Sequence, residues 1–293
     1  MAGRFGSVIT AMVTPFRDDM SLDLDRAQAV TEWLLDHGSN GLVVAGTTGE
    51  GATLSDAEKA DLWRATVEAA KGKGPIIAGT GTYDTAHSVH LTEEAEKAGC
   101  DAALVVSPYY NKPPQSGLFE HFTTVARATS LPVIVYNIPG RTAVRISNET
   151  LLRLAEVDNI VGVKDATADL VAAAELSAAA PDFEIISGED ALTFPLVCQG
   201  ATGVISVTSH VAGERMGQMI DLIESGDVPA ARKIQLELLP LYRALFITTS
   251  PIPVKAAMGL AGQPVGPPRL PLVPATAEET AAVKQSMGDV GVL

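Results

Sequence analysis

Between residues 7 and 224 the chain alternates short apolar runs with longer amphipathic segments, and that alternation leaves few folds open. Runs rich in Val, Ile and Ala stand at 7–12 (SVITAM), 41–45 (GLVVA), 75–78, 102–106 (AALVV), 131–136 (LPVIVY), 159–167 (NIVGVKDAT), 183–186 and 203–207. They carry no polar alternation, so they read as strands covered on both faces. The segments between them have helical spacing. Over 23–37, Leu24, Ala27, Val30, Leu34 and Leu35 share one face, and over 55–70 Ser55 stands as N-cap with Glu58 completing a capping box. Further helices are expected over 85–98, 117–128, 147–155, 169–179, 190–199 and 212–224. Strands separated by helices pair in parallel through right-handed crossovers. Eight such units predict a closed (β/α)8 TIM barrel over residues 1–225 rather than an open sheet.

From residue 226 the strand pattern stops. Helices are expected over 229–246 and 253–260, with Pro240 kinking or splitting the first. A proline-rich connection, 264–274 (PVGPPRLPLVP), leads to a last helix over 277–287. Residues 226–293 therefore read as a C-terminal helical appendage on the barrel.

In a barrel of this kind the working residues stand at the C-terminal ends of the strands. Those ends carry Thr14-Pro15-Phe16, Gly46-Thr47-Thr48-Gly49-Glu50, Gly79-Thr80-Gly81, Ser107-Pro108-Tyr109-Tyr110-Asn111, Tyr136-Asn137 running on to Arg141-Thr142, Lys164-Asp165, Ser187-Gly188-Glu189 and Ser206. A lysine at the exit of a buried strand favours its neutral form, and a neutral amine attacks ketones. A phenol or hydroxyl relay suits the proton transfers of such chemistry, and a guanidinium suits a substrate carboxylate. Taken alone, Lys164 also fits a side chain that snorkels to solvent or pairs with Asp165.

The charge balance narrows the partners. Lys plus Arg is 21 against Asp plus Glu 35, a net charge of −14, which repels nucleic-acid backbones and anionic membrane surfaces. Residues 1–16 lack the apolar core and cleavage site of a signal peptide, and no run reaches the length of a membrane span. Cys100 and Cys198 sit in apolar segments, form no zinc-type pair, and are expected as reduced, buried thiols of a cytoplasmic protein. The five histidines show no metal-ligand spacing; His87 and His90 share a helix face in a surface role. Residues 46–51 lack a P-loop ending and 79–84 do not complete a dinucleotide fingerprint. No metal and no dissociable cofactor is expected.

Four motifs in this order, GTTGE at 46–50, SPYYNKP at 107–113, YNIPGRT at 136–142 and GVKDAT at 162–167, resemble the pyruvate-dependent class I aldolase family, which includes N-acetylneuraminate lyase and 2-keto-3-deoxy sugar-acid aldolases. The likeness continues through SGED at 187–190, GVISV at 203–207 and PIPVKAA at 251–257. The resemblance implies that Lys164 forms a Schiff base with pyruvate, that Tyr136 relays protons, and that Thr47 links it to Tyr110. It implies that Thr47 and Thr48 bind the pyruvate carboxylate and that the Gly188 carbonyl and Ile205 line the pocket. In the family the tyrosine matching Tyr110 reaches a neighbouring subunit's site, so a homotetramer is expected. Arg141 marks the branch that binds the carboxylate of L-aspartate 4-semialdehyde, whose product feeds lysine and diaminopimelate; sugar-acid members usually lack it. Lysine-inhibited members carry asparagine and glutamate where this chain has Tyr83 and His87, and often histidines at Asp56 and Lys59, which implies weak or absent feedback by lysine. The competing readings are a lyase that releases pyruvate from a sugar acid or 4-hydroxy-2-oxoglutarate, and a barrel that binds small acids without catalysis.

Overall fold

Eight parallel strands close on themselves: β1 (Val8–Ala11), β2 (Gly41–Val44), β3 (Ile76–Gly79), β4 (Ala102–Val106), β5 (Val133–Asn137), β6 (Ile160–Asp165), β7 (Glu184–Ser187) and β8 (Gly203–Ser206), with β8 paired back onto β1. They come from a computed structural model that describes residues 3–293; Met1 and Ala2, the first two residues of the expected barrel, lie outside it. The helices are α1 (Leu24–Asp36), α2 (Asp56–Ala70), α3 (Thr85–Lys97), α4 (Gln115–Arg127), α5 (Pro139–Thr142), α6 (Asn148–Leu154), α7 (Leu170–Ala179), α8 (Thr193–Cys198), α9 (Ser209–Glu224), α10 (Val228–Ala244), α11 (Ile252–Leu260) and α12 (Ala277–Asp289). The expected (β/α)8 barrel with appended C-terminal helices is the fold observed.

Both faces of each strand are dry, as the uninterrupted apolar runs require. Ile9, Val43, Ile77, Leu104, Ile134 and Ile186 fill the barrel interior. Val44, Ala78, Val105, Val135 and Val163 face outward into a second layer shared with the helices. That outer layer also holds Met216 of α9, Leu238 of α10, Val254 of α11 and Val283 of α12, so the C-terminal helices share the barrel's apolar packing. Local signals set the helix ends. Ser55 accepts from the Glu58 backbone at 3.2 Å while the Glu58 carboxylate accepts from Ser55 N at 2.9 Å, closing the capping box at α2. Replacing such a cap by Ala costs about 1 kcal/mol.

The register slips once between β5 and β6. Val133 pairs with Ile160 but Ile134 pairs with Gly162, leaving Val161 as an extra residue; beyond the bulge Tyr136 stands beside Lys164. Gly162 fits there because a Cβ would lie 2.4 Å from the Glu184 carbonyl oxygen of β7.

Three expectations need correction. α10 runs unbroken through Pro240. The carbonyl that loses its donor is that of Leu236, an exposed position where water can replace the bond. Cys198 is exposed at the end of α8, and only Cys100 is buried. α9 starts at Ser209, ahead of the expected residue 212, because Ala212 is a non-helical kink that sets its first turn apart. Residues 139–142, given no element in the sequence reading, form the short helix α5, opened by Pro139 and ended by Ala143 in the left-handed region (φ 57°).

Candidate active site

The C-terminal strand ends surround a cavity of about 500 Å3 whose wall includes Thr47, Thr48, Tyr136, Arg141 and Lys164. Five of the eight residues expected at the site thus meet in one space.

Lys164 is 6% exposed, and its Nζ lies 4.2 Å from the centre of the Tyr136 ring. It neither snorkels to solvent nor pairs with Asp165, whose Oδ1 accepts instead from Thr167 N at 2.7 Å. Among the described residues no carboxylate lies within ion-pair distance of Nζ. Burial is the main influence on the amine and brings its pKa to about 7; Asp190 and Glu189 oppose that fall and Arg141 adds to it. A large fraction of the amine is therefore neutral near pH 7.

Tyr136 is buried beside it, and burial pushes its phenol up to about 12, while Arg141 and a hydrogen bond with the Thr47 side chain pull the other way. The phenol is a proton donor at neutral pH that can take the proton back. Thr47 and Thr48 sit in a tight turn after β2. Gly51 N donates to Gly46 O at 3.0 Å, Glu50 N to Thr47 O at 3.1 Å, and the Thr14 hydroxyl to Gly49 O at 2.5 Å. Glycine is required at 51 because a Cβ would lie 2.1 Å from Ala45 O.

Arg141 owes its place to α5 and to Asn137. The buried Asn137 amide donates to Ile146 O at 3.0 Å and accepts from Ile146 N at 3.1 Å, which pins both ends of the segment carrying α5. The Arg141 side chain is exposed toward the mouth and makes no ion pair with another described residue.

The remaining expected residues stand differently. Gly188 abuts the lysine, with a Cβ position 3.1 Å from Lys164 Cε, and Ile205 belongs to the interior packing around Tyr136 rather than to the cavity wall. Tyr110 is 92% exposed, in a left-handed conformation (φ 73°), and lies outside its own chain's cavity. Its neighbour Tyr109 lines the cavity instead and meets Tyr83 edge-on at 5.4 Å.

Two acidic residues that sequence reading left without a role face Lys164. Asp190 is buried, and its Oδ2 accepts from Val207 N, Thr208 N and Thr208 Oγ1 at 3.2, 2.8 and 2.7 Å. Glu189 is half-buried, and desolvation raises its pKa, with Asp190 adding to the rise and Lys164 opposing it. Their position in SGED after β7 was the available signal, but a charge at a helix start reads equally as a cap. Farther along the wall, His87 Nε2 pairs with Asp56 at 3.0 Å beside the buried Lys59. No cluster of three or more His, Cys, Asp or Glu among the described residues could hold a metal ion, and no described helix is long and apolar enough to cross a membrane.

A profile of the dihydrodipicolinate synthetase family matches residues 4–289. The 4-hydroxy-tetrahydrodipicolinate synthase of Desulforamulus reducens is 50% identical over 291 residues, 99% of this chain and 98% of that protein. Among solved structures, the dihydrodipicolinate synthase of Cyanidioschyzon merolae with lysine bound has a TM-score of 0.97 at 43% identity, covering 99% of each chain. The chloride-inhibited enzyme of Acinetobacter baumannii complexed with pyruvate has a TM-score of 0.96 at 38% identity, covering 99% of this chain and 100% of that one.

Proposed function

The chain belongs to the dihydrodipicolinate synthetase family, and from that premise we propose how its residues divide the work. The reaction is the condensation of pyruvate with L-aspartate 4-semialdehyde to 4-hydroxy-tetrahydrodipicolinate, a step of lysine and diaminopimelate synthesis. The neutral Lys164 amine attacks C2 of pyruvate. Tyr136 gives its proton to the departing hydroxyl as water leaves and the iminium forms, with Thr47 completing the relay toward solvent. Thr47 and Thr48 hold the pyruvate carboxylate by hydrogen bonds. The Tyr136 phenolate takes a proton from C3 to give the enamine, which bonds through C3 to the aldehyde carbon of the second substrate as Tyr136 returns that proton to the aldehyde oxygen, while Arg141 grips that substrate's carboxylate as a fork. The acceptor's own amine then displaces Lys164 from C2, closing the ring and freeing the lysine. Gly188 leaves room for the lysine stem, and Ile205 packs in the interior cluster that holds Tyr136.

The observation that carries this reading is a buried lysine with no carboxylate at pairing distance, 4.2 Å above a buried phenol at an open cavity. Borohydride with pyruvate is expected to fix a reduced adduct on Lys164. Product formation from pyruvate plus the semialdehyde, coupled to the next reductase, is expected to outrun cleavage of any sugar acid. No adduct, or faster sugar-acid cleavage, would overturn the assignment.

The exposure and left-handed backbone of Tyr110 support a homotetramer in which this tyrosine packs against the neighbouring subunit's site. Sedimentation is expected to give four chains, and a monomer retaining full activity would rule the crossing out. The free cysteines and the identity of the substrates support a cytoplasmic enzyme.

A further inference from the structure

Lys255 of α11 and Glu50 of the turn after β2 form an ion pair of 2.6 Å whose side chains are only 3% and 1% exposed. The pair sits at a node that joins distant parts of the chain. Lys255 Nζ also donates to Pro267 O at 3.1 Å and lies 4.5 Å from the Phe16 ring centre. The other Glu50 oxygen accepts from Arg269 N at 2.8 Å. The Arg269 guanidinium stacks 4.2 Å from the opposite partner of the node, Phe16, and donates to Thr53 O at 3.1 Å and Glu58 Oε2 at 3.0 Å. Phe16 N in turn donates to Val265 O at 3.1 Å, and glycine is required at 266 because a Cβ there would lie 1.8 Å from Phe16 O. The exit of β1, the turn after β2, the start of α2 and the segment after α11 are thus fastened together.

None of these groups is on the proton path between Lys164 and Tyr136. Glu50 is nonetheless within the turn that carries the two threonines: its N–H donates to Thr47 O at 3.1 Å, and its own backbone is left-handed at φ 55°. A non-glycine residue keeps that conformation only where its surroundings hold it there. A buried ion pair is a poor source of stability, since an apolar pair of similar volume usually does as well, but it demands one geometry. Burial lowers the Lys255 pKa, and the contact with Glu50 opposes that fall.

We propose that Glu50 and Lys255 are positioning residues, a buried clamp by which the C-terminal helical region fixes the turn that offers Thr47 and Thr48 to the pyruvate carboxylate. The proposal rests on the reading of those two hydroxyls as carboxylate ligands. It assigns the helices beyond the barrel a role in pyruvate binding, exerted from outside the cavity.

The test uses the full-length protein with Glu50→Gln, Lys255→Met, the double variant, Thr47→Val and Thr48→Ala. Half-saturating pyruvate for borohydride trapping, KM for the semialdehyde, and Tm are read for each. Each member of the clamp, and the double variant, is expected to raise half-saturating pyruvate about tenfold or more, with semialdehyde KM within about twofold. The double variant, having no unpaired buried charge, is expected to regain the Tm that the single variants lose while keeping the pyruvate defect. Should the single variants fail to fold, the double variant decides the matter, with Arg269→Met, which leaves the pair itself intact, expected to keep half-saturating pyruvate within about twofold. Recovery of pyruvate binding together with Tm, or an equal rise in semialdehyde KM, would show a merely structural pair and overturn the proposal. If both threonine variants bind pyruvate normally, the reading of the hydroxyls falls and the clamp with it. If they weaken binding and the double variant does not, the clamp alone falls.

Discussion

Lys164 at the end of β6 and Lys255 in α11 share almost every property except one. Each is 6% exposed as a whole residue, each has its amine over an aromatic ring, at 4.2 Å from Tyr136 and 4.5 Å from Phe16, and burial drives each amine below the ordinary lysine range. The difference is the counter-charge. Lys255 has a carboxylate at 2.6 Å and a carbonyl oxygen at 3.1 Å, whereas Lys164 has Asp190 and Glu189 only beyond pairing distance. Asp190 is held by three hydrogen bonds from Val207 and Thr208, the two residues that follow β8. A buried amine becomes a nucleophile when its partner is withheld, and a structural tie when the partner is supplied.

The sharpest way to break this comparison is to remove each lysine. Lys164→Met is expected to lower kcat by about a thousandfold or more and to abolish the trapped pyruvate adduct. Lys255→Met is expected to keep an adduct on Lys164 and to lose stability by about 3–5 kcal/mol, measured by urea denaturation, because Glu50 is left buried and unpaired. An adduct on Lys255 in the Lys164→Met variant would erase the distinction. Next in size is the phenol beside the reactive amine: Tyr136→Phe is expected to cost about 10²- to 10⁴-fold in kcat, with stopped-flow trapping showing slower adduct formation. Arg141→Ala is expected to raise semialdehyde KM by about 10- to 100-fold and to affect adduct formation with pyruvate far less, which two separate titrations would read.

Acidity sharpens the comparison further. The trapping rate at limiting pyruvate is expected to rise with pH and level off above about 7, the value at which Lys164 loses its proton. Since the folded-state pKa lies below the unfolded value of about 10.4, the unfolded chain binds the extra proton between those limits. The stability penalty of burying this amine is therefore complete below about pH 7 and is relieved as pH rises toward the unfolded value. Urea midpoints of the wild type against Lys164→Met over that range would show it.

The smallest effect concerns a third lysine that is also 6% exposed, Lys59, which lines the cavity wall with Asp56 as its one opposing influence. The buried amine of Lys59, and the engagement of Asp56 with His87, leave a poor site for a lysine zwitterion. Added lysine is expected to inhibit weakly or not at all in steady-state assays, and a sub-millimolar inhibition constant would contradict this.

The barrel was legible because two dry strand faces leave an unmistakable pattern: 102–106 matched β4 at both ends, and the Ser55–Glu58 box announced α2 one residue before its start. The gathering of Lys164, Tyr136 and Arg141 around one cavity was legible from strand ends, since a barrel mouth brings them together whatever their distance in sequence. Contacts between side chains far apart left no trace of that kind. Nothing in PIPVKAA or GTTGE distinguishes a lysine and glutamate that meet across 205 positions from two solvated charges. α5 escaped notice because four residues carry no periodicity, and the exposure of Cys198 because an apolar segment can still turn its last residue outward.

The slip between Val133 and Ile134 has a consequence of parity. Val161 belongs to the barrel interior and Val163 to the outer layer. Strict alternation counted from Val161 would send position 164 outward, toward the helices. The supernumerary residue reverses the count, so that Lys164 points inward beside Tyr136. Removing Val161 would restore strict alternation from Ile160 and keep Lys164 inward, whereas inserting one residue between Gly162 and Lys164 would leave composition, length and hydrophobicity nearly untouched yet turn Lys164 outward. In this strand an inserted residue is a more complete knockout than most point substitutions.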